Sequence, residues 1–502
     1  MFISVLALIL AWKTPPSELP KPVIEIAETA EAKYFNRAIQ AAAELVSFPT
    51  VHREGLENRD NPHFQSMSYF LRSLAKKLDF EFQDHGDVVV ISLGTGPDRI
   101  GLITHGDVVP ADASKWKQSP FNLDRESEPG KLIGRGIEDD KGPIALALFA
   151  MKAIADSNLK LTKKIELIVS YTEESSWEPF RAFLEKIPPP PINIALDANY
   201  PVTIAEKGWS GIWLAFPDPS EEINGSPAIS SFKGGVFLSQ VPGEAQATLE
   251  NIDRKRLKKL KKAARKLSPA NFKFDQEKDR IVISAMGKPA HSSTPDQGIN
   301  AISHLAVLLA QFDWAPTREA AAVSFIDANI GLDYNAEKFG RLAFGHPFMG
   351  PATLSLGTVT VDNGNLIVGL NLRSPAGKSK SQLEKDIREV VASWAANHPG
   401  SVTISRLSVG EAHLPENPPH VEPLLKVYSF FTGQKDPKPI SIGGGTHARL
   451  VPNGVNFGPA MPGEEYTGHS EREYLTEQQF RLNLRMYTAM LAVLATSADR
   501  VD

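Results

Sequence analysis

The chain has 502 residues, 42% of them hydrophobic and 23% charged, with a formal net charge of −5. That length exceeds what one hydrophobic core fills and predicts two domains, and the charge balance offers no general pull toward nucleic acid or acidic membranes. With no cysteine, disulfides, thiolate metal sites and cysteine nucleophiles are excluded, so metal chemistry must draw on Asp, Glu and the 12 histidines.

Phe2 to Trp12 is an almost unbroken apolar run, followed by Lys13 and a Pro-rich stretch to Pro22. It is too short to span a bilayer but matches the apolar region of a signal peptide, although no Lys or Arg precedes it and the small-residue cleavage pattern is poor. Residues 1–34 are therefore read as a signal or linker segment, with a periplasmic or secreted location; a buried N-terminal helix in a cytoplasmic protein is the alternative. No later stretch reads as transmembrane, so no stable membrane insertion is expected.

Apolar spacing predicts helices over Ala38 to Phe48 and Met67 to Leu78, and buried strands over Val88 to Ser92 and Ile100 to Thr104. Pro143 to Ile154 reads as a helix, Lys164 to Tyr171 as a strand, Trp177 to Leu184 as a helix and Ile192 to Leu196 as a strand. This alternation predicts an α/β domain with a mostly parallel sheet covered on both sides. From about Trp209 the pattern changes: strand-like pieces at Gly211 to Phe216 and Ile281 to Met286 alternate with helices at Asn300 to Phe312 and Gln382 to Asn397. The α/β rhythm resumes with Val421 to Phe431, Asn456 to Gly458 and Glu477 to Leu494. The simplest organisation is one domain from 35–206 and 417–502, interrupted by an α+β domain at 207–416. The cationic stretch Arg254 to Lys266 places Leu257, Leu260 and Ala264 on one helical face, the pattern of a solvated amphipathic helix, and no nucleic-acid partner is expected.

His105, Glu173, Glu174 and Asp197 stand just past predicted strand ends, where ligands gather in open parallel sheets. His105 and Asp107 follow the strand ending at Thr104; two residues apart they share a face, so the Asp can accept the imidazole's second N–H. Asp139 follows Gly134-Arg-Gly-Ile-Glu and opens a helix, a place where a simple N-cap is the plainer reading. Glu173 and Glu174 end an apolar strand, and two carboxylates there repel unless a cation or a shared proton compensates. Asp197 ends the next strand. Imidazole and carboxylate together suit zinc, and a carboxylate can bridge two ions.

These motifs, with Trp116, Pro120-Phe121, Asp139-Asp-Lys-Gly-Pro143, Thr172-Glu-Glu-Ser175, Asp197-Ala-Asn-Tyr-Pro201, Glu206-Lys-Gly208 and Lys288-Pro-Ala-His291-Ser, resemble the zinc aminoacylase, carboxypeptidase and dipeptidase family, metallopeptidase family twenty of clan MH. The likeness runs from about residue 35 to 495 and is nearest to its monomeric bacterial dipeptidases of β-alanyl and Xaa-His substrates. It implies a zinc-peptidase catalytic domain with a mostly parallel sheet and an inserted α+β lid domain. It also implies two Zn2+ ions per chain, with Mn2+ or Co2+ as substitutes: one held by His105 and Asp197, the other by Glu174 and His469, with Asp139 between them. Glu173 would be the general base, with Asp107 supporting the site and His291 stabilising the oxyanion. Arg373 would grip the substrate carboxylate, with Gly444, Gly445 and His447 in the substrate pocket; a plain strand-end role for Arg373 stays open. His447 and His469 compete for the late ligand position, and family position favours His469.

The implied activity is hydrolysis of dipeptides by metal-activated water in a monomer whose partner is a small peptide. An N-acyl-amino-acid deacylase or a carboxypeptidase uses the same chemistry, and a non-catalytic binding protein of this fold is a third reading, disfavoured by the non-ligand Glu173. One departure stands out: Ser239 occupies the place where relatives carry an asparagine two residues before Val241-Pro242.

Overall fold

The computed structural model describes residues 18–219, 225–277, 280–398 and 400–495; the apolar run Phe2 to Trp12 lies outside them. Two compact units emerge. The second is Glu206–Leu414 together with Ser441–Gly445, and the first comprises the chain before and after it.

The first unit opens with α1 (Lys21–Val46), whose Val23, Ala27, Ala30, Tyr34, Ala38, Ala42 and Leu45 recur every three or four residues and are buried. Residues 21–34, expected as signal or linker, are thus the front half of a packed helix. The glutamates and lysines between its small apolar residues mask a stripe that only tertiary burial reveals. After α2 (Pro62–Leu78) come β1 (Glu81–Asp84), β2 (Val88–Leu93) and β3 (Arg99–His105), then α3 (Lys141–Ala155), β4 (Lys164–Ser170), α4 (Glu178–Lys186) and β5 (Ile192–Ala195).

Strand β3 lies between β4 and β5 and is parallel to both, whereas β1 and β2 pair antiparallel at one side. Alternation along β2 explains the two-sided burial. Val89 and Ile91 join the large core with α1 and α3, while Val88 and Val90 join a smaller one with Phe180, Phe183, Ala448 and Val451. Helix α3 is apolar almost all round because it is enclosed, with Ile144 to Met151 buried without a break.

The second unit is built on an antiparallel sheet. Its elements are β6 (Gly208–Phe216), β7 (Ala228–Gly234), β8 (Glu244–Glu250), α5 (Arg254–Ala264), β9 (Asn271–Glu277), β10 (Arg280–Met286), α6 (Ala301–Leu309), α7 (Arg318–Asn329), β11 (Thr353–Asp362), β12 (Asn365–Ser374), α8 (Lys380–Asn397) and β13 (Thr403–Val409). The strand order is β9-β10-β8-β7-β11-β12-β6-β13. Its core gathers Ile212, Leu249, Ile283, Ile302, Leu305, Phe325 and Leu370. On α5, Leu260 and Ala264 are buried and Leu257 half-buried, so the cationic side chains line a helix seated by its apolar stripe, as its spacing predicts.

The chain then returns with α9 (Val421–Thr432), β14 (Val455–Asn456) parallel to β5, and α10 (Glu477–Ala495), which packs on α1 and α3. Among the described residues no helix is long and apolar enough to cross a membrane.

His420, at the start of α9, is buried. Burial pushes its imidazole from the ordinary 6.5 down to about 4, partly offset by the backbone of Asn193 and Asn453. Within that interval the unfolded chain binds a proton the native state refuses, so stability rises with pH from about 4 to 6.5. At about 1.4 kcal/mol per pH unit, acidifying from about pH 6.5 to about pH 5 removes ~2 kcal/mol. Urea unfolding at both pH values is expected to show that loss in the wild type and not in His420→Leu; equal pH slopes would acquit His420.

Candidate metal centre

Three neighbouring parallel strands deliver their polar residues at one end of the sheet. His105 is the last residue of β3, Glu173 and Glu174 follow β4 by three and four positions, and Asp197 stands two past β5. Asp139 lies just before α3, whose N-terminal dipole favours negative charge. His469 comes from the loop ahead of α10, with a left-handed backbone at φ 65°.

The His105 imidazole is almost fully buried. Its Nδ1 donates to the Asp107 backbone carbonyl at 3.0 Å, which fixes the tautomer, because a carbonyl can only accept. Nε2 then faces Asp139 Oδ1 at 2.8 Å and Asp197 Oδ2 at 3.8 Å. Burial by itself would lower this imidazole, but Asp107, Asp139 and Asp197 raise it well above its ordinary range. The second oxygen of Asp139 lies 3.1 Å from His469 Nε2, which is itself 2.7 Å from Glu174 Oε1. One carboxylate thus turns its two oxygens toward two imidazoles.

The Asp107 carboxylate, expected to accept the imidazole's second N–H, stands 3.5 Å from Nδ1 and leaves that bond to its own backbone carbonyl; its hydrogen bonds go to a place that sequence reading missed. It accepts the backbone N–H groups of Glu173 and Glu174 at 3.1 and 2.8 Å and so fixes the paired glutamates against β3. Trp177, four residues on, donates its indole N–H to the Glu173 carbonyl at 2.8 Å. Burial drives the Glu173 carboxyl well up, reinforced by the charges of Asp197, Glu174 and Asp139, and lifts Asp197 to about 7. Asp139 goes the other way despite its burial, held well below the usual range by His105 and His469.

Ligand atoms of His105, Glu173 and Asp197 lie within 4.8 Å of one another, as do those of His105, Asp139 and Glu174. Four buried or half-buried carboxylates against two imidazoles make an anionic cluster that divalent cations neutralise, and the N/O donor set suits zinc. Tyr466 was also missed: its hydroxyl donates to Asp139 Oδ2 at 2.6 Å. Its position three residues before His469 is the one signal that marks it.

The other expected site residues fall in two places. His447 is buried in the first unit, its ring parallel to Phe180 at 4.2 Å and edge-on to Trp177 at 5.3 Å. Burial lowers its imidazole well below the ordinary value. The second unit holds the rest. Arg373 is buried and donates to Asn371 Oδ1 at 2.8 Å, the Gly443 carbonyl at 3.2 Å and Ser292 Oγ at 3.3 Å. Gly444 and Gly445 continue the Gly443 stretch, and a Cβ at Gly443 would crowd Ser293. His291 Nδ1 is 2.6 Å from Ser293 Oγ. Ser239 lies beside it, its carbonyl accepting the Ser292 N–H at 3.0 Å.

A parallel-sheet unit with imidazoles and carboxylates converging on strand ends, interrupted by an antiparallel unit, defines a metal-dependent hydrolase. Residues 101–493 match the model of peptidase family M20/M25/M40, and the chain belongs to that family. It is 28% identical over 484 residues to the Beta-Ala-Xaa dipeptidase of Lactobacillus delbrueckii subsp. lactis, an alignment that covers 94% of this chain and 98% of that one. Its fold resembles that of human carnosine dipeptidase 1 (TM-score 0.60, 15% identity, 95% of this chain and 100% of that one). It also resembles the di-peptidase Dug1p of Saccharomyces cerevisiae (TM-score 0.58, 13% identity, 96% and 100%).

If this cluster is the metal centre, His105→Ala and Asp139→Ala remove bound divalent metal together with turnover, measured by elemental analysis and peptide hydrolysis on the same samples. Full activity in metal-free protein would refute the assignment.

Proposed function

We propose that the chain is a dipeptidase working with two zinc ions, one held by His105 and Asp197, the other by Glu174 and His469, with Asp139 shared. The observation that carries this reading is the divided orientation of Asp139, one oxygen toward each imidazole. The near full-length similarity to a Beta-Ala-Xaa dipeptidase supports dipeptides as the substrate class. The apolar run Phe2 to Trp12 supports export as the location. Hydrolysis of a dipeptide panel and of N-acyl amino acids, with and without chelator, tests the activity. Chelator-sensitive cleavage of dipeptides is expected, and turnover confined to N-acyl amino acids would replace the dipeptidase with a deacylase.

Bound cations would supply a water of lowered pKa and a polarised carbonyl. The protein's own contribution starts with Glu173, whose burial and anionic neighbours raise its affinity for a proton; cations in the cluster would offset those neighbours and leave it ionised before the water attacks. Its carboxylate takes a proton from the attacking water and returns it to the leaving amine. Asp107 keeps the Glu173 backbone in register with β3 through the amide bond described above. Glu173→Gln is expected to retain both ions and lose about a hundredfold to ten-thousandfold in rate. A variant within about threefold of wild type at equal metal content would show that another group is the base.

Arg373 is the proposed clamp for the substrate's terminal carboxylate, and His291 the proposed oxyanion donor. Asn371, Gly443 and Ser292 hold the guanidinium in one orientation, the condition for paired hydrogen bonds to a carboxylate. A substrate whose C-terminus is an amide forgoes the charge-assisted pair that a free carboxylate makes with the guanidinium. Dipeptides should therefore be cut faster than their C-terminal amides, and Arg373→Ala should narrow the difference by slowing the acid more than the amide. Equal rates on acid and amide in the wild type would overturn the clamp.

A further inference from the structure

Two buried glutamates that touch none of the ligand atoms tie the loops carrying Asp139 and His469 together. Glu473, fully buried, points one oxygen into the turn before α3, accepting the backbone N–H groups of Gly136, Glu138 and Asp139 at 3.0, 2.9 and 3.1 Å. Its other oxygen takes the Arg135 guanidinium at 2.7 Å, and Arg135 also reaches the Ser470 carbonyl at 2.9 Å. Glu138 returns the gesture. One of its oxygens accepts the Thr467 N–H at 2.7 Å, the Thr467 hydroxyl at 2.7 Å and the Gly468 N–H at 3.0 Å. Each carboxylate sits in the amide cradle of the other's loop, made by Asp139 itself and residues up to three before it on one side and by the two residues before His469 on the other. His469 itself holds the left-handed backbone, which a non-glycine residue keeps only where its surroundings fix it.

The two halves of this clasp act on different ligands. Glu473 holds the amide of Asp139, which faces both imidazoles. The Glu138 carboxylate bonds Thr467 and Gly468 in the loop of His469, which the Glu473 half reaches as well through Arg135 and Ser470. We propose that the clasp sets the position of His469 relative to Asp139, so that Glu138 and Thr467 are positioning residues for the cation held by Glu174 and His469, while Glu473 positions the ligand common to both cations. The proposal rests on the ligand assignment above and adds to it a division of labour among residues outside the ligand set.

The test is titration of the metal-free full-length chain with Co2+, followed by its visible absorption and by competition against a chelator. The wild type should show two binding events. Thr467→Val and Glu138→Gln should each weaken one event by about tenfold to a hundredfold, the usual effect of groups that orient a ligand, and leave the other within about threefold. Thr467→Ser, which keeps the hydroxyl, should restore the weakened event, and Glu473→Gln should weaken both. Should Glu138→Gln or Glu473→Gln fail to fold, the valine and serine variants at Thr467 decide the matter alone. His469→Ala separates the two layers. If it leaves both events intact, the ligand assignment fails and the clasp falls with it. If it removes one event that Thr467→Val does not weaken, or if Thr467→Val weakens both events alike, the ligands stand and the clasp is overturned.

Discussion

Like charges brought out of water are the constraint on which this molecule turns. Asp139, Glu173, Glu174 and Asp197 converge where β3, β4 and β5 end, and two imidazoles are their nearest cationic partners. Burial raises all three of the shifted acids, but His105 and His469 hold Asp139 ionised, whereas Glu173 and Asp197 stay pushed toward protonation. Such divergence is the arrangement that lets one cluster both bind a cation and handle a proton.

The fold makes that convergence possible by keeping the strands apolar toward that end, with Leu102 and Ile103 on β3 and Leu167 to Val169 on β4, while Arg99, Lys164 and Glu166 lie toward the other end. With apolar cores on both faces of the sheet, the chain can place its polar chemistry only where the strands stop. Asp107 then welds two of those endings together, its carbonyl serving His105 and its carboxylate serving the amides of Glu173 and Glu174. His105, the Glu173–Glu174 pair and the sheet register thereby share a single anchoring residue.

The parts of the fold legible in the sequence were those where burial and periodicity coincide. Strands β2 to β5 and helices α3, α9 and α10 have continuous apolar runs or stripes, and their limits lie within a few residues of those predicted. Helix α1 was only half visible because its outer turns mix small buried residues with many charges. At the site, the residues that stand at strand ends could be found from position. Glu138, Glu473 and Tyr466 could not: their partners lie more than three hundred residues away along the chain. No spacing within a loop encodes such a pairing. His447, expected as a pocket residue from its glycine-rich neighbourhood, has a ring that packs flat against Phe180, a contact that the neighbourhood did not announce.

The separation of the two clasping loops has a consequence for how the protein is made. Glu138 and Glu473 are 335 residues apart, so at synthesis rates of about 5–20 residues per second, roughly 17 to 67 seconds pass between the emergence of one and the other. During that time β3, β4 and β5 can be present with their acidic ends, but without His469, the amide cradle of its loop, or the closing helix α10. The inserted unit, whose sheet is built entirely from intervening chain, can complete its own core first. The cluster is thereby completed only at the last stage of biosynthesis, and a chain cut short between residues 197 and 469 carries its four carboxylates without His469.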